Sequence, residues 1–380
     1  MVDENFLSII DFGSSKLRLG VFNTTSPNSN YISESLCKNS LKSNDLIIDR
    51  NNDVIHETIL KTEKALNQHI KDIIVMVDTI DSISVDFSVK KKIDKSYIIK
   101  QVLKNIIQEA KTTIEKNYHT YKIQHLIILK YISGNMEYNE MPENNLNDHL
   151  IIDFKFILIP KIIIEKIKDF FKQKHISITN IYNSSYLKSL DCLKNFDLFD
   201  IKAFIDIGYN KTSFLIFKKN KLIYFNVFPI GGNHITKDIS AVLQIELDES
   251  EKQKKLLKHT NANLSSHKAN DLLIKVIHAR VEEIIDLCFK SLNFYKDLKD
   301  LKSILIFTGE GSKILSKNSI YLKEEYNFFN EMNFFEENSN IICNAGFDYA
   351  LSDKLNEVTI IPKKQKKRGF FEKFFYFFNK

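Results

Sequence analysis

The residues best suited to chemistry lie in short turns. Asp11-Phe-Gly-Ser-Ser-Lys16 separates two apolar runs, Phe6–Ile10 and Leu17–Phe22. A tight turn after a strand exposes successive backbone N–H groups, and the small residues Gly13, Ser14 and Ser15 let a phosphate approach those donors. Asp11 is placed to hold Mg2+, usually through waters, and Lys16 to neutralise phosphate charge. Alone, this turn equally describes an ordinary glycine-containing hairpin. The pattern returns at mid-chain, however: Asp206-Ile-Gly208, then Tyr209-Asn210-Lys211, lies between the strand-like runs Ala203–Ile207 and Thr212–Phe217. Two such hairpins can clamp a polyphosphate, with Asp11 and Asp206 as the catalytic pair sharing one Mg2+. A third turn, Thr308-Gly309-Glu310-Gly311-Ser312, follows Ile304–Phe307 and opens a helix. Its lightly substituted backbone suits a nucleoside's sugar, base or α-phosphate.

These turns need elements to position them. Leu17-Arg-Leu-Gly-Val-Phe22 alternates with period two, as a half-buried strand does. The two strand–Asp-x-Gly–strand units, half a chain apart, form an internal repeat at domain scale. The simplest fold is α/β, with two related lobes facing across a cleft. Helices are predicted over Thr58–Gln68, Lys95–Tyr118 and Lys161–Lys174, the last following a strand at Ile151–Leu158. Asn270–Tyr295 is predicted as the longest, with Leu273, Val276, Ile277, Val281, Ile284, Ile285, Cys288 and Leu292 as its sheet-facing stripe.

The order of phosphate-1, phosphate-2 and adenosine turns resembles the actin/Hsp70/sugar-kinase superfamily. Within it the chain is similar to the bacterial cell-division FtsA family over nearly its whole length. The carrying residues are Asp11–Lys16, Asn183-Ser-Ser-Tyr-Leu187, Asp206–Thr212, Pro229–Ile239, Glu251–Lys254 and Thr308–Ser312. The most FtsA-like stretch runs from Gly231-Gly232-Asn233 through Asp238-Ile239 to the acidic helix start Leu247–Glu251. The resemblance implies a two-lobed actin-like (duplicated ribonuclease-H-like) fold binding ATP and Mg2+. It places Gly231, Gly232 and Asn233 in the nucleotide site and turns Glu251 and Lys254 towards ribose and base. Read as residues only, Glu251 and Lys254 are also a solvated i,i+3 pair.

By the same resemblance, residues 1–82 and 153–198 form lobe 1 (1A), 83–152 a 1C subdomain, 199–235 and 301–351 lobe 2 (2A), and 236–300 a 2B subdomain. Residues 352–367 are a basic linker, and 368–380 an amphipathic membrane-targeting helix. Three departures bear on catalysis. Tyr209-Asn210-Lys211 replaces the glycines and threonine of many relatives and crowds the γ-phosphate. Glu310 puts an acid at a usual glycine position. Thr179–Tyr186 offers Asn180 and Asn183 but no Gln, Glu or Asp to orient an attacking water, which implies slow ATP hydrolysis at most.

Composition narrows the partners. The 380 residues are 43% hydrophobic and 27% charged, a core-forming balance. Of 54 Lys and Arg and 48 Asp and Glu, Lys363–Lys380 holds seven bases and only Glu372, so residues 1–362 carry 47 of each. All of the +6 net charge therefore sits in the last 18 residues, which argues against nucleic-acid binding by the body. Cys37, Cys192, Cys288 and Cys343 form no metal or disulfide pattern. The acidic start Met-Val-Asp-Glu-Asn lacks signal-peptide character, and no apolar run approaches the ~20 residues of a membrane span. A cytosolic protein is predicted, with surface attachment at one end.

On a helix, Phe370, Phe371, Phe374, Phe375, Phe377 and Phe378 fall on one side, preceded by the basic run holding Lys366, Lys367 and Arg368. This reads as an interfacial membrane helix; a terminal helix docked on the body would explain the phenylalanines but not the charges. The FtsA resemblance then implies an actin-like division protein that polymerises on the inner face of the cytoplasmic membrane at the division site. It would tether FtsZ filaments in the Z-ring, bind the FtsZ C-terminal peptide on 2B, and recruit later division proteins. Arg280 is the expected peptide contact; alternatively it pairs with Glu283 or Glu282. A PilM-like pilus-assembly protein and a small-molecule phosphotransferase of the same superfamily are the alternatives; the 83–152 insert and the tail favour FtsA.

Overall fold

Period-two alternation builds the first hairpin: β1 (Phe6–Phe12) and β2 (Lys16–Asn23) pair antiparallel with Asp11 opposite Arg18. β3 (Tyr31–Leu36) extends one side, and β4 (Asp72–Met76) and β9 (Ser177–Tyr182) the other, in the order β3-β2-β1-β4-β9. The structure, a computed structural model, describes residues 6–24, 31–37, 47–93, 99–142, 148–256, 268–292, 301–315 and 329–352. The basic linker and the phenylalanine-rich segment, with Lys366, Lys367, Arg368, Phe370, Phe371, Phe374, Phe375, Phe377 and Phe378, lie outside the described residues.

A second sheet repeats the first. β10 (Ile201–Ile207), β11 (Thr212–Lys218), β12 (Lys221–Phe228), β13 (Ser303–Thr308) and β14 (Glu331–Phe334) lie in the order β12-β11-β10-β13-β14, with Asp206 opposite Ser213. The duplication extends to the helices that follow. α4 (Ser184–Leu193) leaves β9 and α8 (Ser339–Leu351) leaves β14, each N-capped by an asparagine. The Asn183 Oδ1 accepts from Tyr186 N–H at 3.0 Å and the Asn338 Oδ1 from Ile341 N–H at 2.9 Å.

The layers follow from which faces are apolar. α1 (Ile47–Leu66) and α3 (Lys161–Gln173) cover one face of the first sheet, burying Ile10, Leu19 and Val75 with Ile163 and Phe171. The opposite face presents Ile9, Phe22 and Met76 to a core shared with Phe204, Leu215 and Ile306 of the second sheet. Tyr186 and Leu187 of α4 and Ile342 and Cys343 of α8 fill that shared core. Beyond it, α5 (Gly232–Leu243) and α7 (Lys268–Lys290) pack Ile235, Ile239, Val281, Ile285 and Cys288 on Ile205, Phe214 and Leu305. Full burial of one such phenylalanine or isoleucine contributes ~1.5–3 kcal/mol, so the α4–α8 layer joins the sheets strongly. This is the two-lobed α/β architecture that the repeat implies.

A third sheet stands apart, built from β5 (Ile83–Lys92), β6 (Tyr121–Ser133), β7 (Met136–Tyr138) and β8 (His149–Pro160) in the order β5-β8-β6-β7. α2 (Ile99–Asn117) closes it over Phe154 and Phe156 with Ile106 and Ala110. β8 runs unbroken past residue 152 to Pro160. Element ends differ from expectation in three places. α1 begins at Ile47, before the predicted Thr58, because non-helical dihedrals at Asn51 interrupt its periodicity. α7 stops at Lys290, where Ser291 Oγ donates to the Cys288 carbonyl and competes with the helical bond. The turn after β13 opens only a 3-10 turn, Glu310–Ile314, before the extended Leu315. Among the described residues no helix is long and apolar enough to cross a membrane.

Candidate functional site

The ends of β1 and β10 bring Asp11 and Asp206 to the cleft between the lobes, both almost fully buried. The N-terminus of α4 lies between them. Ser184 Oγ donates to Asp11 Oδ1 at 2.6 Å, and the next residue's hydroxyl, Ser185 Oγ, donates to Asp206 Oδ2 at 2.9 Å. One helix end thus touches the repeated aspartate of each lobe. It can do so because Asn183 spends its side chain on capping α4, which fixes both serines on the first turn.

Each carboxylate in this cleft has a cationic neighbour, and Asp206 and Glu337 share one. Arg18, opposite Asp11 in the β1–β2 register, sets Nη1 2.9 Å from Asp11 Oδ2. Lys188, one turn along α4 from Ser184 and Ser185, sets Nζ 2.7 Å from Asp206 Oδ2 and 3.1 Å from Glu337 Oε2. Lys211 pairs with Asp78, whose Oδ2 also lies against Ser185 Oγ, so the single hydroxyl proton of Ser185 serves either Asp78 or Asp206. Burial by itself raises the Asp78 pKa, but Lys211 and Ser185 together hold it below the usual carboxylate range. Burial dominates at Glu337 and pushes it up to about 7, against the opposing pull of Lys188. Burial works against the Lys188 charge too, yet Asp206 and Glu337 raise its pKa above the ordinary lysine value.

Gly13, Ser14, Ser15, Gly208, Tyr209, Lys211, Gly309 and Glu310 line this small space of about 60 Å³ together with both aspartates. A larger cavity of about 410 Å³ adjoins it, sharing Ser15, Tyr209 and Glu310 as lining. Lys16, Gly232, Glu251, Lys254 and Gly311 line the larger one. Three of the predicted turns therefore meet at one composite cleft, with a confined acidic-and-basic end and a roomier end.

Several predicted residues act on the walls. Gly232 N–H donates to the Gly208 carbonyl at 2.9 Å and Asn233 N–H to the Tyr209 carbonyl at 2.7 Å, so the Gly231-Gly232 turn braces the Asp206 turn. Asn233 Nδ2 also donates to Asn210 Oδ1 at 3.2 Å. Ser312 turns inward, its hydroxyl donating to the Gly309 carbonyl at 2.8 Å. On α6 (Leu247–Leu256), Lys254 is buried, not solvated: its Nζ donates to the Gly232 carbonyl at 2.9 Å and pairs with Glu251 at 2.6 Å. Burial lowers the Lys254 pKa. Glu310 does not leave a bare acid beside the site. It sits among Lys313 at 2.9 Å, Lys16 at 3.3 Å and Arg18 at 3.6 Å, which outweigh its burial and keep its pKa low.

Arg280 is placed away from the cleft on α7. Its guanidinium forks onto both Asp238 oxygens, with Nη2–Oδ1 at 2.9 Å, and pairs with Glu283. The expected alternative pairing with Glu283 is present, and the stronger, bidentate partner on α5 was not foreseen.

Mg2+ shared directly by Asp11 and Asp206 does not fit the donor set as arranged. Both Asp11 oxygens take hydrogen bonds, from Ser184 and Arg18, and Asp206 Oδ2 takes two, from Ser185 and Lys188. Among the described residues, no group of three or more His, Cys, Asp or Glu is arranged to hold a metal ion.

Residues 203–314, from β10 through the turn after β13, match the family described as Cell division protein FtsA. Over this stretch the chain is similar to FtsA. It is 31% identical over 123 residues to the Cell division protein FtsA of Bacillus subtilis (strain 168), covering 28% of this chain and 28% of that protein. With the Helicobacter pylori (strain ATCC 700392 / 26695) protein of the same name it shares 23% identity over 214 residues, 54% of this chain and 40% of the relative. The matched stretches thus span less than half the length of either relative. A chain of the PilM-PilN type IV pilus biogenesis complex superposes with a TM-score of 0.60 at 11% identity, over 91% of this chain and 96% of that one. That likeness is one of fold, and it is the actin-like fold. The FtsA match itself spans Asp206, Gly231-Gly232, Glu251, Lys254 and Thr308–Ser312.

Arg18, Asp78, Ser184, Ser185, Lys188, Ser213 and Glu337 were missed as site residues. Arg18 was legible from register, since a hairpin that turns over Gly13–Lys16 and pairs Phe12 with Leu17 sets residue 18 opposite residue 11. Lys188 was legible from its i+3 and i+4 spacing to Ser185 and Ser184. Asp78 and Glu337 follow β4 and β14 with no local signature.

Proposed function

We propose that this chain is an actin-like, nucleotide-binding cell-division protein of the FtsA type, with ATP held in the cleft between the lobes. The observation that carries the reading is the α4 N-terminus, whose neighbouring serines reach the repeated aspartate of each lobe beside a cavity of nucleoside size. The polyphosphate lies at the confined end, near the backbone of Gly13–Ser15 and Gly208–Lys211, with Arg18, Lys188 and Lys211 as the charged donors. The nucleoside takes the larger cavity, walled by Gly232, Glu251, Lys254 and Gly311. A ligand touching both lobes favours their closed arrangement and so couples occupancy to assembly. Hydrolysis is slow, because Asn183 is committed to capping α4 and the nearby carboxylates are paired with cations.

In this reading the third sheet, residues 83–160, is the 1C subdomain, extended beyond 152 to keep β8 whole. Residues 236–300 are 2B and dock the FtsZ C-terminal peptide. Arg280 meets that peptide only when acidic groups of the peptide displace Asp238 or Glu283. The tail from Lys363, with its phenylalanines, holds filaments of this chain to the anionic inner membrane surface at the division site, tethers FtsZ filaments there and serves recruitment of later division proteins. The PilM-like alternative has fold likeness behind it, whereas the family match over 203–314 favours FtsA.

The test is equilibrium binding of fluorescent ATP to the full chain and to Arg18→Met and Lys211→Met, which each remove one charged donor, with folding confirmed by circular dichroism. Each substitution should weaken binding at least tenfold; unchanged affinity in both would remove the cleft assignment. Co-sedimentation with FtsZ filaments and anionic vesicles tests the tethering role, and absence of the chain from that pellet would refute it.

A further inference from the structure

The cation at the junction of Asp206 and Glu337 belongs to the protein itself. Lys188 Nζ lies 2.7 Å from Asp206 Oδ2 and 3.1 Å from Glu337 Oε2, and its side chain is only 13% exposed. It occupies the side of Asp206 Oδ2 on which a directly bound metal would compete with it. A divalent ion on Asp206 Oδ2 would be within about 5 Å of this ammonium, a like-charge contact in a buried cleft. The companion carboxylate, Asp11, is matched in the same manner by Arg18 Nη1 at 2.9 Å, and Asp78 by Lys211. The cleft therefore sets Arg18, Lys188 and Lys211 against Asp11, Asp78, Asp206 and Glu337, and every carboxylate has a cationic neighbour.

We propose that Lys188 is the built-in counter-cation of this cleft, so that the chain holds nucleotide phosphates without a divalent metal. The inference rests on the nucleotide reading above and specifies how that site handles charge. An ammonium has three N–H donors, and the contacts to Asp206 and Glu337 use two of them. We assign the third to a phosphate oxygen. Placement on α4 makes the ammonium part of the interlobe joint: Ser184, Ser185 and Lys188 lie on one face of that helix, at i, i+1 and i+4. Its position is fixed by packing, since Tyr186, Leu187, Cys192 and Leu193 of the same helix are buried in the shared core. A lysine on a flexible surface segment could swing aside for a metal; this one is tied by two carboxylates from the second lobe.

The experiment measures affinity of the full chain for a fluorescent ATP analogue in excess EDTA and again in millimolar Mg2+. The expected result is a difference of less than threefold. Weakening of threefold or more in EDTA overturns the proposal while leaving the nucleotide reading intact, and no binding in either condition overturns both. In Lys188→Met, confirmed as folded by circular dichroism, Mg2+ should now strengthen binding at least tenfold. Lys188→Arg, which restores the charge, should remove that metal preference. A Lys188→Met chain as indifferent to Mg2+ as the parent would also count against the role assigned to Lys188.

Discussion

Two glycines of the cleft should answer the same substitution in opposite ways. Gly309 has φ +88° and ψ 162°, a backbone region reserved almost wholly to glycine. A Cβ there would lie 2.4 Å from Asp206 Oδ1, 2.5 Å from the Ile207 carbonyl oxygen and 2.9 Å from its carbon. Two of those atoms are backbone and the third is a buried carboxylate, so relief requires moving β10 itself. Strain of ~1–3 kcal/mol from the dihedrals and ~1–3 kcal/mol from overpacking give Gly309→Ala a loss of about 2–6 kcal/mol. That is a large part of the ~5–15 kcal/mol typical of a folded domain. Gly232 lies in the first turn of α5, where an added Cβ meets Gly311 Cα at 3.4 Å, the Gly208 oxygen at 3.6 Å and Lys254 Nζ at 3.7 Å. Those are ordinary contacts, and alanine favours a helix over glycine by up to ~1 kcal/mol. Gly232→Ala should therefore unfold in urea within about 1 kcal/mol of the parent, yet lose nucleotide affinity because its methyl enters the larger cavity. Equal stability of the parent and Gly309→Ala, within ~0.5 kcal/mol, would refute the steric reasoning; a Gly232→Ala chain destabilised as far as Gly309→Ala would do the same.

Further outcomes follow from other contacts. Asp238→Asn should loosen the fork on Arg280 and strengthen capture of an acidic FtsZ C-terminal peptide, measured by fluorescence anisotropy, whereas Arg280→Ala should weaken capture and cost about 1 kcal/mol in urea unfolding. Glu337 keeps its proton up to about pH 7 in the folded chain but ionises near 4.5 when unfolded, so folding takes up a proton between those values. Stability contributed by the protonated group is complete below pH 4.5 and is lost as pH rises towards 7; subtracting the urea-stability profile of Glu337→Gln from that of the parent should show this fall, and a flat difference would contradict it. Removal of residues 363–380 should abolish flotation with anionic liposomes while leaving nucleotide affinity unchanged, and equal flotation of the shortened chain would exclude the tail as anchor. Cys192, Cys288 and Cys343 have burial-raised pKa values, so a thiol reagent should label them only after unfolding, as followed by mass spectrometry.

Local pattern carried much of the fold. Period-two runs and glycine-bearing turns located β1, β2, β10 and β11, and the duplicated Asp-x-Gly turn implied two related lobes, whereas the matching strand order of the two sheets came from the structure. The spacing of Glu251 and Lys254 fixed that they share a helix face. It left open whether that face was wet. Only the packing of α6 against α5 buries Lys254 on the Gly232 carbonyl, and no i,i+3 pattern reports what another helix does.

The sequence by itself determined where phosphate-binding turns could form, because a turn is made by the residues inside it. It also determined the charge division of the chain, a neutral body and a basic end, since composition needs no coordinates. Tertiary structure alone decided which charges meet. Lys188, Asp206 and Glu337 are drawn from α4, β10 and the loop before α8, and Asp78 and Lys211 from opposite lobes. Electrostatic energy depends on distance in space and on burial, and neither is a property of sequence separation. For that reason the two aspartates were legible as a pair, and the helix face of Lys188 from its spacing to Ser184 and Ser185, while the contact of Lys188 with Asp206 was not.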